Sequence, residues 1–178
     1  MLLIALVAAI LVIGIVLCVG SVYLVVSNRN HVPSVSTPQA NIDEIVAALD
    51  LPSRGTFLDL GCGDGRVLAA AIGHRAGLRA TGIENNPALV LLAKMRVGNR
   101  AHVRFGQIEH AVFGGTDRIY VYLSPKFMTY LEAKFADELP KGARVVSQQF
   151  PLPSRQPARV LDLAAGKAHA EKLYVYDY

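Results

Sequence analysis

Three glycines spaced two apart, Gly61, Gly63 and Gly65, close the stretch FLDLGCGDGRVL at residues 57–68. Glycines at this spacing after an apolar run demand a sharp turn at the end of a strand, and they bring bare backbone N–H groups close to whatever lies over the loop. Dinucleotides and S-adenosylmethionine are the two ligands such a turn suits. A dinucleotide site favours G-x-G-x-x-G and seats a pyrophosphate at a helix N-terminus. Here the spacing is G-x-G-x-G, with Asp59 just before the turn and Asp64 inside it. Two carboxylates repel a pyrophosphate but complement the ammonium and sulfonium of S-adenosylmethionine. The charge pattern therefore favours the methyl donor over NAD.

A second acid fits the same site. The run ATGIENNPALV ends its apolar part at Glu84, and a carboxylate at the C-terminal tip of that strand can take both ribose hydroxyls of a nucleoside. This serves NAD equally well, so Glu84 points to a nucleoside without choosing the cofactor. Cys62 lies inside the loop, where its small size explains it better than nucleophilicity. The five histidines are scattered without metal-ligand spacing, so no metal site is expected. Serine-hydrolase and phosphate-loop signatures are missing as well.

These groups must be carried by something, and the rest of the sequence says what. A helix over NIDEIVAALD, with Asn41 as a candidate cap, precedes a strand at Thr56–Leu60. A helix over Arg66–His74, a strand at Arg79–Ile83 and a helix opening at Pro87 follow. Strands at His102–Phe105 and Arg118–Leu123, a helix over Lys126–Leu139 and a strand in ARVVSQ continue the alternation. Two alternating runs, ARVLDLAA and AEKLYVYDY, end the chain. The expectation is an α/β fold with a mostly parallel sheet finished by an antiparallel hairpin.

Before this region, Met1–Val26 holds no charged residue and accounts for much of the 52% hydrophobic content. As a helix it is roughly 39 Å long, against a bilayer core of about 30 Å. A secretory signal peptide carries a positive n-region and a shorter apolar stretch, so the run reads as a transmembrane anchor. Arg29 follows it and no Lys or Arg precedes it, which places the remainder on the cytoplasmic side of the inner membrane by the positive-inside rule. Residues 27–40, with two prolines and many small polar residues, read as a linker, leaving 41–178 as one domain. Cys18 in the span and Cys62 in the loop are expected to stay unpaired, as in a reducing compartment. The formal charge of +4 suits an anionic membrane surface, although ordinary solvated lysines and arginines account for it too. No feature bears on the oligomeric state.

The blocks FLDLGCGDGRVL, TGIENNPALV, YVYLSP and ARVVSQQF, in this order, resemble the class I S-adenosylmethionine-dependent methyltransferases. Within them the chain is similar to the small lysine methyltransferases of archaea and bacteria and to the membrane-anchored ATP-synthase c-subunit lysine methyltransferases of mitochondria. The resemblance implies a seven-stranded Rossmann-like sheet with S-adenosylmethionine as cofactor. It also implies that Asp59, Gly61, Cys62, Gly63, Asp64 and Gly65 line the methionine end, Glu84 the ribose and Asn85 the adenosine. Where such proteins place an Asp or Asn beside adenine, this chain has VRFGQIEH, and Gln107, or second to it Glu109, takes that role.

On the acceptor side, methyltransferases of DNA bases and protein glutamine carry an Asp/Asn-Pro-Pro-aromatic run after the fourth strand. Here the stretch is Leu123-Ser124-Pro125-Lys126-Phe127, so no nucleic-acid partner is expected. A lysine amine needs only to lose a proton, with a reference pKa of about 10.4, to become a strong nucleophile. Tyr122, with Ser124 and Pro125 beside it, is the expected wall of the acceptor site, and Tyr120 shares its strand face. The acceptor read from this is a protein lysine, with a membrane-embedded protein as one candidate target and the bilayer as second partner. The alternatives are a lipid, quinone or other small membrane-borne acceptor, or a cofactor-binding scaffold without turnover.

Overall fold

Strand and helix alternate as the periodicity requires, and the strands join one seven-stranded sheet of order β3-β2-β1-β4-β5-β7-β6. The computed structural model describes residues 2–29, 37–163 and 171–178. The strands are β1 (Gly55–Leu60), β2 (Leu78–Glu84), β3 (His102–Phe105), β4 (Arg118–Val121), β5 (Arg144–Gln148), β6 (Arg159–Leu163) and β7 (Glu171–Asp177). Pairings among β1 to β5 are parallel, whereas β7 runs antiparallel to both β5 and β6. The connections reverse direction between β1 and β4, and in such sheets ligands bind in the crevice at the C-terminal strand ends where that reversal occurs.

The helices are α1 (Leu2–Arg29), α2 (Ile42–Leu49), α3 (Arg66–His74), α4 (Pro87–Val97) and α5 (Pro125–Glu138). Side chains alternate across the sheet. Phe57, Tyr120, Val146 and Val175 pack on one face with residues of α2, α3 and α4. Leu58, Ile119, Val121, Val145 and Tyr176 pack on the other with Met128, Leu131 and Phe135 of α5. Asp59 and Glu84 fall on the first face by the same parity.

Beyond one-residue shifts at the ends of β1, β2 and α5, three features differ from the sequence reading. The strand β4 ends at Val121 rather than Leu123, because Ser124 and Pro125 open α5 with proline at its first position, where its missing N–H costs nothing. Asn41 stands at the N-cap of α2 with no side-chain capping bond. Its own backbone is helical and its amide is spent elsewhere. The first helix continues to Arg29, three residues into the expected linker. Residues 30–36 of that linker, including its first proline and His31, lie outside the described residues.

The chain divides into two compact units, Met1–Val35 and Ser36–Tyr178. In the first, Ile4–Ser21 has a mean hydropathy of 2.9 and is exposed along its whole length. By length and composition this helix is able to cross a membrane.

Candidate functional site

The glycine turn forms as its spacing demands, with φ of +75° at Gly61, +55° at Gly63 and +79° at Gly65. Side chains other than glycine avoid this left-handed region. The three glycines nevertheless do different work. A Cβ on Gly61 would lie 3.0 Å from Leu123 Cδ2, and one on Gly65 would lie 3.0 Å from Ala93 Cβ and 3.1 Å from Ala93 Cα. Gly61 and Gly65 thus allow close packing. Gly63 has nothing within 4 Å, so it is the place where the backbone is open to approach.

The amides expected to face a ligand are instead fastened to the protein. Gly61 N and Cys62 N donate to Ile83 O at 2.9 and 3.0 Å, and Gly65 N donates to Cys62 O at 2.9 Å. Gly63 N donates to Glu84 Oε2 at 2.9 Å. The turn is laced to β2, which explains how a loop of glycines is held rigid.

Glu84 is the other half of that lacing. It is buried, and besides Gly63 N its carboxylate accepts Asn85 N at 2.9 Å and Asn86 N at 2.8 Å through Oε1. Three charge-assisted bonds to backbone tie together the glycine turn and the start of α4. Asn86 then caps α4, its Oδ1 accepting from Ala88 N at 3.0 Å. Gly106 N, just past β3, donates to Glu84 O at 3.0 Å. This brings the 3₁₀ turn Ile108–His110 beside the same strand tip, with Gln107 and Glu109 exposed upon it. Glu84 and the exposed Asn85 and Gln107 thus lie near the same strand tip.

Asp59 is the unsatisfied member. It is 1% exposed and its Oδ2 has no hydrogen-bond partner. Burial, and second the charge of Glu84, push its pKa up to about 8. A buried carboxylate oxygen without a donor is costly unless a cation meets it. Asp64 behaves oppositely. It pairs with Arg66 Nε at 2.9 Å and Arg96 NH1 at 2.7 Å, and Arg96 also donates to its backbone carbonyl. Burial works to raise its pKa, but hydrogen bonds from Arg96 and Arg66 outweigh that and hold it below the usual range. Asp59 thus keeps a buried, unpartnered oxygen, while the charge of Asp64 is answered within the chain.

Cys62 packs against Gly82, whose hypothetical Cβ would sit 2.7 Å from Cys62 Sγ. Burial, then the charges of Asp59 and Glu84, raise its thiol pKa far above the ordinary value. It is a neutral packing residue. Among the described residues no group of three or more His, Cys, Asp or Glu side chains is placed to hold a metal ion.

Tyr120 and Tyr122, expected at the acceptor side, do share a face, but they sit differently. Tyr120 is buried, and its hydroxyl donates to Gln148 Oε1 at 2.5 Å and lies 3.2 Å from Thr37 Oγ1. Tyr122, just beyond β4, is half-buried, with its hydroxyl 3.4 Å from Glu171 Oε1. Burial, then the charge of Glu171, raises the Tyr122 pKa, so it stays a phenol. Ser124 holds the start of α5 through its carbonyl, which accepts Phe127 N at 3.0 Å, and Pro125 is exposed at the rim.

Sequence reasoning missed the partners of these tyrosines. Gln148 Nε2 donates to Glu171 Oε2 at 2.5 Å, and Asn41 Nδ2 donates to the same oxygen at 3.3 Å. A signal was present. Gln148 follows Val146, and Glu171 precedes Leu173 and Val175, at the parity of buried residues, so both stand where an apolar side chain is expected.

A glycine turn between parallel strands, acids at the tips of β1 and β2 and this strand order together define the fold of a class I S-adenosylmethionine-dependent methyltransferase. Residues 59–159 match the ANTKMT methyltransferase domain, and the chain belongs to that family. It is 40% identical over 139 residues to the adenine nucleotide translocase lysine N-methyltransferase of Mus musculus, covering 75% of this chain and 59% of that protein. It is 29% identical over 151 residues to a protein-lysine N-methyltransferase of Saccharolobus islandicus, covering 82% of this chain and 94% of that protein. An RNA methyltransferase from Salinibacter ruber, solved with S-adenosyl-L-homocysteine, superposes with a TM-score of 0.73 at 28% identity, covering 80% of this chain and 93% of that one. The chain thus spans 59% of the length of the mouse relative and, likewise, of the ATP-synthase c-subunit lysine N-methyltransferase of Rattus norvegicus. The residues present fit S-adenosylmethionine: Asp59 offers an unpartnered carboxylate oxygen to its cationic end, Gly63 an open backbone, and Glu84 a strand-tip acid to its ribose.

Proposed function

We propose that this chain is a protein-lysine N-methyltransferase using S-adenosylmethionine, held at a membrane by α1. The observation that carries the reading is the buried, unpartnered Asp59 oxygen, because it asks for a cation at the point where the family binds its methyl donor. Bound there, the cofactor supplies a methyl group on a sulfonium. The protein supplies alignment and a dry, charged frame. Asp59 meets the positive end, Gly63 permits close approach, and Glu84 holds the turn rigid and faces the ribose. Asn85 and Gln107 flank the adenosine. Tyr122, Ser124 and Pro125 form the rim at which the acceptor arrives.

Lysine as acceptor is supported by the activities for which the mouse and Saccharolobus relatives are named and by the Ser-Pro start of α5, which lacks the polar anchor and second proline used for amide and base nitrogens. Membrane attachment is supported by the length and hydropathy of Ile4–Ser21, and a cytoplasmic-side domain by Arg29 after that run. The relatives named for adenine nucleotide translocase and for the ATP-synthase c-subunit make a membrane-embedded protein a natural target. Incubating the full chain with membranes and a radiolabelled methyl donor tests the reading. Label running with protein and recovered as methyllysine is the expected result, and label confined to the lipid extract overturns it.

A further inference from the structure

The outermost strand, β3, pairs with β2 only from Thr81 onward, so the start of β2 is left uncovered on that side. A cleft of about 740 Å³ opens there, between β2, the end of α4 and the start of β3. It lies at the N-terminal strand ends, opposite the crevice that holds the glycine turn. Arg79, Lys94, Arg100 and His102 line it, and no acidic side chain does. All four are exposed, and among the described residues none of them makes a side-chain hydrogen bond or an ion pair. Arg79 alone acts on an acid from a distance: hydrogen bonds from Thr56, then the charges of Arg118 and Arg79, hold the pKa of Asp117 below its ordinary value.

The helix that leads into this cleft is apolar on both sides. Val90, Ala93 and Val97 already supply its buried stripe, yet Leu91 is 60% exposed, Met95 74%, and Leu92 is exposed with them. Leu91, Lys94, Met95 and Gly98 follow at spacings of three and four, so they form one stripe along the outer face. Lys94 and Gly98 are the members of it that reach the cleft. Phe105, at the far end of β3, is exposed as well. Between Glu84 and Glu109 the chain carries Lys94, Arg96, Arg100 and Arg104 and no Asp or Glu. Arg96 is paired with Asp64, which leaves the other three cations uncommitted. Exposed aliphatic side chains bordered by cations alone suit the boundary of an anionic bilayer, where the apolar groups meet acyl chains and Lys and Arg meet lipid phosphates. Single-stranded RNA asks for aromatic rings on which its bases stack, and the stripe that reaches the cleft is aliphatic.

We propose that this face docks on an anionic phospholipid bilayer, the cleft taking a lipid phosphate among Arg79, Lys94, Arg100 and His102 while Leu91, Leu92 and Met95 enter the headgroup boundary. The contact goes beyond methyl transfer and rests on one part of that reading, attachment through α1, which keeps the domain near a surface where a shallow contact suffices. Its consequence is orientation. Arg79 and Phe105 mark opposite ends of this side of the sheet, so contact along it lays the strands parallel to the bilayer. The strand ends that carry the glycine turn then open along the membrane surface.

Met95 is its own reporter. The full chain is reconstituted into nanodiscs of phosphatidylcholine, alone or mixed with phosphatidylglycerol, and treated with dilute peroxide, and Met95 sulfoxide is followed by mass spectrometry. Met128, buried in the core, shows in the same spectra whether the fold is intact. Met95 should oxidise severalfold more slowly in the anionic discs than in the neutral ones. Arg79→Gln combined with Arg100→Gln should lower the docked population relative to the free one by about tenfold or more and erase that difference, while methylation of poly-L-lysine in detergent stays as in the wild type. Leu91→Ser should weaken the protection without a change of charge, and it decides the matter if the double variant exposes Met128. Equal Met95 rates in the two kinds of disc, or protection that survives in either folded variant, overturn the proposal. So does protection by inorganic phosphate, or by a single-stranded RNA, as full as that by the anionic discs. A chain that stays out of the discs overturns attachment through α1, and protection of Met95 by added phosphatidylglycerol vesicles but not phosphatidylcholine vesicles then upholds the cleft, its absence sinking both.

Discussion

The β1–β2 edge and the β4–β7 edge of the sheet are built from the same materials and solve opposite problems. At β1–β2, Glu84 spends its carboxylate on three backbone N–H groups, while Asp59 keeps an oxygen buried and unpartnered. One acid is satisfied by the backbone and the other is not. At β4–β7 side chains answer side chains: Tyr120, Gln148, Glu171 and Asn41 position one another across strands far apart in sequence. A rigid backbone turn suits an invariant cofactor.

The largest effect expected at either edge separates stability from binding. Asp59→Asn removes a buried charge without a partner, so the ligand-free protein should become more stable above about pH 8 even as cofactor affinity falls by about 3 kcal/mol. The folded pKa of Asp59, about 8 against the ordinary 3.8, means that the native chain keeps a proton the unfolded chain releases. This group's contribution to stability is therefore full below about pH 4 and lost as the pH climbs through about 8. Thermal melts of both proteins from about pH 4 to 9 should converge at the acid end. Melting curves that stay parallel at every pH would break the assignment of Asp59 as the strained acid.

Glu84→Ala should do the reverse on the stability axis. It strands the part-buried amides of Gly63, Asn85 and Asn86, each loss costing about 1 kcal/mol or more, so the fold weakens together with cofactor affinity. Calorimetric binding and denaturant melts on one preparation check both. A variant that loses affinity at unchanged stability would show that Glu84 serves only the ligand.

Smaller effects should distinguish the glycines. Each substitution forces a side chain into the left-handed region at a cost of about 1 kcal/mol. Gly65→Ala also presses on Ala93 backbone, so its loss should appear mainly in stability. Gly63→Ala meets open space, so its further loss should appear in cofactor affinity. The smallest change is Tyr122→Phe, which keeps the ring and removes the long contact to Glu171. Cofactor affinity should hold while transfer to lysine falls a fewfold.

The β1–β2 edge was legible in the sequence because its determinants are contiguous. The turn, Asp59 and Glu84 lie within one strand–helix–strand unit, and apolar periodicity located its helix at Arg66–His74 as observed. Even there the direction of the loop amides and the pairing of Asp64 were not readable, since they depend on Ile83 and Arg96 coming back in space. The β4–β7 edge was legible only at Tyr120 and Tyr122. Gln148 and Glu171 acquire meaning only once β7 is inserted antiparallel beside β5, and no local pattern announces that register. Asn41 was read as a cap because its place before a helix is the commonest use of asparagine, whereas tertiary contact to Glu171 claims its amide instead.

The most direct measurement is cofactor affinity of Asp59→Asn and Tyr122→Phe, titrated side by side by calorimetry with S-adenosylmethionine on the full chain. Asp59→Asn should lose most of its affinity and Tyr122→Phe should bind as the wild type does, one residue serving the proposed donor site and the other the proposed acceptor site. Equal losses in the two variants, or a loss only in Tyr122→Phe, would contradict that division of labour.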